Sequence, residues 1–158
     1  SFKQYNSLLK TMNISSVSIL QLGWMSNKSA DNFFYFFSGG ETGVKGYTFY
    51  EESLTGPSQI VLTNIIRFPI FIEKNYRLLN FSIQNLAIGI VNQLGGSPSD
   101  FNALLNEESY KVSSGLEARI NGFSFYSYPT AIEYSCHIPV LDTFEYIPKQ
   151  YLKILFNF

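Results

Sequence analysis

Apolar and polar residues alternate along six segments of the chain. A period of two places successive side chains on opposite faces of a β-strand. The segments with this period are residues 12–26, 58–70, 78–93, 111–121, 130–138 and 150–158. In the fourth, Leu116 and Ile120 share one face, whereas Glu117 and Arg119 share the other. The alternation slips once, near Gln84 and Asn85, which predicts a β-bulge.

Five charged residues of these segments fall on one face of the predicted strands. They are Arg67, Glu117, Arg119, Glu133 and Lys153. In a soluble sandwich this face would meet external water, and in a barrel it would line a polar lumen. The mixed signs of the charges favour ion pairs that fill a lumen over a selective pore. The opposite face of the last segment carries Leu152, Ile154, Phe156 and Phe158.

The connections between the segments alternate in length. They are long at 27–57 and 94–110, short at 69–77 and 122–129, and intermediate at 139–149. Short periplasmic turns and longer external loops alternate in this way in outer-membrane barrels. The short connections are rich in aromatic rings, which favour a membrane interface: Phe68, Phe71, Phe123, Phe125, Tyr126 and Tyr128. The pattern predicts an all-β fold, a transmembrane antiparallel β-barrel that occupies residues 1–158 as one domain.

The composition agrees with this prediction. Aromatic residues make up 17% of the chain and charged residues only 15%, compared with about 25% charged residues in soluble domains. No apolar run approaches the ~18 residues of a spanning helix. The net charge of −1 and the scattered basic residues argue against nucleic-acid binding. Cys136 is the only cysteine, which excludes an intrachain disulfide.

Candidate catalytic chemistry is missing from the sequence. His137 is the only histidine, and no Gly-x-Ser-x-Gly elbow occurs. The stretch GGETGVKG lacks the Gly-Lys-Ser/Thr run of a phosphate-binding loop, since Val44 separates Gly43 from Lys45. We therefore expect no enzyme activity, no metal site and no cofactor, and we expect His137 to face the lumen and to hydrogen-bond to its neighbours.

Residues 39–56, GGETGVKGYTFYEESLTG, carry a recognisable motif. A glycine pair precedes Val44-Lys45-Gly46-Tyr47, and a later glycine precedes a strand that ends Arg67-Phe68-Pro69. This order resembles the motif loop of the BamA-type and two-partner-secretion barrels, the bacterial surface-antigen family, over residues 12–158. The stretch GLEARINGFSFYSYPTAIEYSCHIPVLD is similar to barrels of larger proteins with TolB-like propeller domains in Bacteroidetes-like bacteria.

The resemblance implies a location in the bacterial outer membrane. The partners would be the lipid bilayer and the barrel assembly machinery, with Phe156 and Phe158 as the C-terminal assembly signal. In the family, the motif arginine enters the lumen and meets an acidic residue on the following strand. Here Lys45 replaces that arginine. The residue nearest to the expected position of the acidic partner is Asn92, which carries no charge and falls on the same strand face as Ile88 and Ile90. Glu117 and Glu133 fall on the predicted lumen face of neighbouring strands, so we expect Lys45 to meet one of them instead.

Two architectures and three functions remain open at this stage. The six strands could be the C-terminal part of a larger barrel of about sixteen strands, completed by further sequence or by another subunit. Alternatively, residues 3–10 and 32–38 could complete an eight-stranded barrel. The function would be that of a membrane anchor for a larger surface or periplasmic protein, a protein translocation or insertion barrel, or a small structural or porin-like barrel.

Overall fold

The computed structural model describes residues 1–9, 13–25, 32–98, 109–125, 128–140 and 147–156. These residues form ten β-strands: β1 Phe2–Leu9, β2 Ile14–Trp24, β3 Phe36–Phe37, β4 Thr55–Gly56, β5 Ser58–Phe71, β6 Tyr76–Leu78, β7 Phe81–Gly96, β8 Tyr110–Ser124, β9 Tyr128–Pro139 and β10 Lys149–Phe156. Short 3-10 turns occupy Asn32–Phe34 and Glu52–Leu54. Within the described ranges no helix is long and apolar enough to cross a membrane.

Seven strands form one antiparallel sheet in the order β1-β2-β5-β7-β8-β9-β10. The short β6 adds to the beginning of β7, and β3 pairs with β4 in a separate two-stranded sheet. This confirms the predicted all-β, antiparallel class. In the described part of the chain β1 and β10 do not pair with each other, so the sheet has two edges and is not closed.

All six predicted segments form strands, with some differences in their limits. The predicted start of β7 at Leu78 was wrong, because Leu79 adopts a left-handed φ of 53° and turns the chain between β6 and β7. The predicted bulge is confirmed by a register shift between Ile83 and Asn85.

The main sheet contains more strands than the six predicted segments. Residues 2–9, most of which the eight-stranded alternative recruited, form β1 against β2. Residues 32–38, recruited by the same alternative, do not join the main sheet. They form a 3-10 turn and the two-residue β3, so that part of the alternative was wrong.

The sheet has two chemically distinct faces. We call the face covered by residues 38–47 the inner face and the opposite one the outer face. Two small buried apolar clusters lie on the inner face, one of which contains Val17, Ile65 and Val91. The predicted alternation is present in β10, where Leu152, Ile154 and Phe156 are exposed and the intervening residues are half-buried.

Candidate functional site

Residues 38–47, which we call the motif loop, fold into a compact turn. Val44 N donates to Ser38 O at 2.7 Å, and Ser38 N donates to Leu54 O at 2.8 Å. A Cβ at Gly43 would lie 1.9 Å from Ser38 O, and Gly46 has a φ of +95°. The turn therefore needs glycine at both positions, which gives a physical reason for the glycine spacing of the motif.

The motif loop packs its apolar side chains against the inner face. Val44 and Tyr47 form a buried cluster with Leu54 and Val61. Gly95 on β7 makes room for this contact, because a Cβ there would lie 2.3 Å from Val44 Cγ2. Full burial of such aliphatic side chains contributes about 1.5–3 kcal/mol each, so the cluster fixes the loop to the sheet.

Gln93 on β7 holds the backbone of the motif loop. Its Oε1 accepts from Lys45 N at 2.9 Å, and its Nε2 donates to Gly43 O at 2.9 Å and to Thr63 Oγ1 at 3.1 Å. The sequence pointed instead to Asn92, which is exposed on the outer face. Because strand side chains alternate, the position that puts Asn92 on the same face as Ile90 puts Gln93 on the inner face. This alternation could have identified Gln93, which the sequence analysis missed.

Two further contacts connect the motif loop to β8 and β10. Gly46 N donates to the Tyr151 hydroxyl at 2.9 Å, and the Tyr47 hydroxyl donates to Val112 O at 2.9 Å. The ammonium of Lys45 also lies 5.7 Å from the centre of the Tyr151 ring, within cation–π range. The loop therefore contacts β5, β7, β8 and β10 across the inner face.

Lys45 forms a buried ion pair at the centre of this site. Its Nζ lies 3.3 Å from Glu133 Oε1 and donates to Ser135 Oγ at 2.9 Å. The second oxygen of Glu133 lies 3.6 Å from Arg119 Nη1. One carboxylate thus bridges two cations. Of the two partners expected for Lys45, the structure brings Glu133 into contact.

The other expected partner, Glu117, pairs with Arg67. The Arg67 Nη2 lies 2.8 Å from Glu117 Oε1, and Nε donates to the same oxygen at 2.9 Å. Glu117 is only 2% exposed. Lys153 lies 3.7 Å from Glu41 of the motif loop, and both of these side chains are partly exposed. All five charged residues singled out in the sequence therefore lie on the inner face and form ion pairs.

His137 lies fully buried on the inner face, and the prediction that it hydrogen-bonds to its neighbours was wrong. Within the described ranges neither ring nitrogen has a hydrogen-bond partner. The ring lies over Gly115, where a Cβ would come within 2.6 Å of it, and edge-on to Tyr151 at 6.1 Å between centroids. The Tyr151 hydroxyl accepts a hydrogen bond from Gly46 N.

The aromatic residues of the short connections lie at the end of the sheet opposite the motif loop. Phe68, Phe125 and Tyr128 are exposed, whereas Phe71 and Phe123 are half-buried. Phe156 is exposed on the outer face at the same end. Tyr126 and Phe158 lie outside the described residues.

The charged groups of the site are arranged in ion pairs. The buried ammonium of Lys45 and the partly buried guanidinium groups of Arg67 and Arg119 each face a carboxylate. No cluster of three or more potential metal ligands occurs in the part of the chain that the structure describes. The arrangement fixes a loop inside a polar face, and its chemistry is that of structural ion pairing.

Comparison with known proteins gives no relative for this chain. No protein-family model, no curated protein and no solved structure matches it.

Proposed function

We propose that the chain forms the C-terminal strands of a larger β-barrel in the bacterial outer membrane, where it anchors a larger surface or periplasmic protein. The observation that carries this proposal is the reversed polarity of the sheet. Buried positions of the inner face hold Glu117 and Glu133, and the buried Lys45 of the motif loop lies against them, whereas Leu116 and Leu152 are 61% and 66% exposed on the outer face. Lipid-facing strands have this pattern around a polar interior.

The exposed apolar side chains form a continuous surface across neighbouring strands. Its members on β5, β7, β8, β9 and β10 are Leu62, Ile88, Ile90, Leu94, Leu116, Tyr134, Ile138, Leu152, Ile154 and Phe156. The strand register brings Ile90 opposite Leu116 and Tyr134 opposite Leu152. Soluble monomers rarely expose contiguous apolar patches larger than a few hundred Å². A hydrocarbon environment would cover this surface without a protein partner.

The height of the apolar surface fits a membrane. Trp24 lies opposite Ser58 at one end of the sheet, and Phe68 lies ten residues along β5 at the other. Ten residues of strand span about 33 Å. At a tilt of about 40° this corresponds to a height of about 25 Å, which equals the apolar band of outer-membrane barrels. Both ends carry aromatic rings, as membrane interfaces favour.

The strand directions support a larger barrel. Because the described sheet has seven strands in antiparallel order, β1 and β10 run in the same direction. These two edges therefore cannot close the ring with an antiparallel pair. An even-numbered antiparallel barrel would need an odd number of further strands. The resemblance to the surface-antigen superfamily agrees with this, since its barrels have about sixteen strands.

The contacts on the inner face favour a membrane anchor over a protein-conducting channel. The motif loop and its ion pairs occupy the interior side of β7–β10, and charges of both signs compensate each other there. A translocation or insertion barrel is the second candidate, because the Val44-Lys45-Gly46-Tyr47 loop lies on the inner face as the resemblance implies. In both cases Phe156 and Phe158 would form the signal for the assembly machinery.

Two leucines on opposite faces of β10 test the proposal. Leu152→Arg places a charge on the outer face, and Leu155→Arg places it on the inner face. A charge facing lipid costs about 2–4 kcal/mol near the bilayer midplane. In Gram-negative cells expressing the native gene, we expect Leu152→Arg to lose most of the folded, heat-modifiable protein in the outer-membrane fraction. Leu155→Arg should retain it.

The reverse result would contradict the proposal. If the outer face met water, Leu152→Arg would be harmless because the leucine is already exposed. An unchanged amount of folded Leu152→Arg protein would therefore exclude a lipid-facing outer face.

A further inference from the structure

A row of polar side chains crosses the outer face in register from β1 to β8. The strand register places its members directly opposite one another on β1, β2, β5, β7 and β8. They are Gln4, Ser18, Asn64, Asn92 and Ser114, and we call them the outer polar row. At about 4.8 Å between neighbouring strands, the row extends for about 19 Å.

The central members of the row lie inside the apolar surface. The next outer-face residues on either side of Asn64 and Asn92 are Leu62, Ile66, Ile90 and Leu94. Both asparagines are exposed. A primary amide exposed to hydrocarbon is unfavourable unless its donors and acceptors are used. The row is therefore a poor surface for contact with lipid tails.

The amides of the row have unused hydrogen-bonding capacity. Asn64 Nδ2 donates to Ser18 Oγ at 3.2 Å, and Asn92 Oδ1 accepts from Ser114 Oγ at 2.9 Å. No other hydrogen bond of these two side chains occurs within the described ranges. A primary amide offers two N–H donors and two acceptor lone pairs. Asn64 therefore presents a free carbonyl oxygen, and Asn92 presents a free amino group.

We infer that the outer polar row is the surface through which two copies of this protein associate within the membrane. The inference rests on the proposed function, since it requires the outer face to lie in lipid. All copies insert in the same direction, so their rows lie at the same depth. The free acceptor of Asn64 and the free donor of Asn92 complement each other, which suits a two-fold contact between identical surfaces. Interchain hydrogen bonds of such side chains favour association in membranes.

Cysteine cross-linking in isolated outer membranes tests this contact. The native Cys136 is first replaced by Cys136→Ser, because it also lies on the outer face. The reporter is Ile90→Cys, next to the row, and the control is Ile154→Cys, on the same face of β10. We expect oxidation to give a disulfide-linked homodimer with the reporter and little or none with the control.

The amides are then removed in the reporter background. Asn64→Leu with Asn92→Leu should lower the yield of homodimer by about tenfold, as expected for the loss of one to two membrane hydrogen bonds. The matched control is Leu62→Val with Leu94→Val, which changes the same face of the same strands and keeps both amides. It should leave the yield unchanged.

The outcomes separate this inference from the proposed function. Folded, membrane-inserted protein that stays monomeric would overturn the inference alone. A reporter that cross-links to a different protein, or a dimer that persists without the two amides, would also overturn it. Failure of the unsubstituted protein to insert into the membrane would overturn both the inference and the proposed function.

Discussion

The inner and outer faces of the same strand differ most clearly at two neighbouring residues of β8. Leu116 is 61% exposed, whereas Glu117 is 2% exposed and pairs with Arg67. In water the hydrophobic effect would favour the opposite arrangement, since a leucine gains by burial and a carboxylate loses its hydration. The proposed membrane location rests on this contrast, and the inner face supplies its own counter-charges.

The inner face supports its buried charges in two ways. Each buried carboxylate contacts a cation, and Glu133 contacts both Lys45 and Arg119. The motif loop also covers the face and supplies Lys45 itself. On the outer face, the described part of the chain shows two side-chain hydrogen bonds along the outer polar row. The apolar residues of this face contribute stability only if the medium around them is apolar.

The largest effect is expected from removing the charge of Glu133. Glu133→Gln keeps the shape of the side chain but leaves Lys45 and Arg119 without their shared carboxylate. Breaking a buried ion pair on one side costs roughly 3–5 kcal/mol. Urea unfolding of the lipid-reconstituted protein, followed by the heat-modifiable gel shift, measures the change in the free energy of unfolding.

The control for this substitution is Lys153→Met. The Lys153–Glu41 pair is longer, at 3.7 Å, and its side chains are 40% and 45% exposed. Exposed pairs contribute at most about 1 kcal/mol, so the change should be small. Equal losses for the two variants would show that Glu133 is not the centre of a buried network.

An effect confined to the motif loop is expected from Gln93, and its neighbour Asn92 on the outer face is the control. Gln93→Leu removes the hydrogen bonds to Lys45 N and Gly43 O and leaves both backbone groups unsatisfied. Each unsatisfied buried group costs about 1–3 kcal/mol. Limited proteolysis should cut the motif loop faster. Asn92→Leu, on the outer face, should not increase cleavage, and the opposite ranking would contradict the assignment of the faces.

Local patterns predicted the faces because strand side chains alternate with a fixed period. The parity of Glu117, Glu133 and Lys153 was sufficient to place them on one face, and the slip near Asn85 was sufficient to predict the bulge. Segments without regular alternation were harder to interpret. Residues 2–9 form β1 because β2 offers them a partner, which their own composition does not reveal.

The contacts of the motif loop could not be derived from the sequence in the same way. Lys45 lies 88 residues from Glu133 in the chain, and parity alone allowed Glu117 equally well. Which glutamate pairs with Lys45 depends on where the motif loop contacts the sheet. Gln93, Tyr151 and the small Gly95 together determine that position. The burial of His137 without a hydrogen bond likewise depends on the space left by Gly115.

The most direct test of the central claim uses Trp24, the only tryptophan of the chain. It lies on the outer face at the end of β2 and is 56% exposed. If the outer face contacts lipid, its fluorescence in reconstituted protein should be quenched strongly by brominated lipid chains and weakly by aqueous iodide. Strong quenching by iodide with no effect of the brominated lipids would contradict a membrane-facing outer surface.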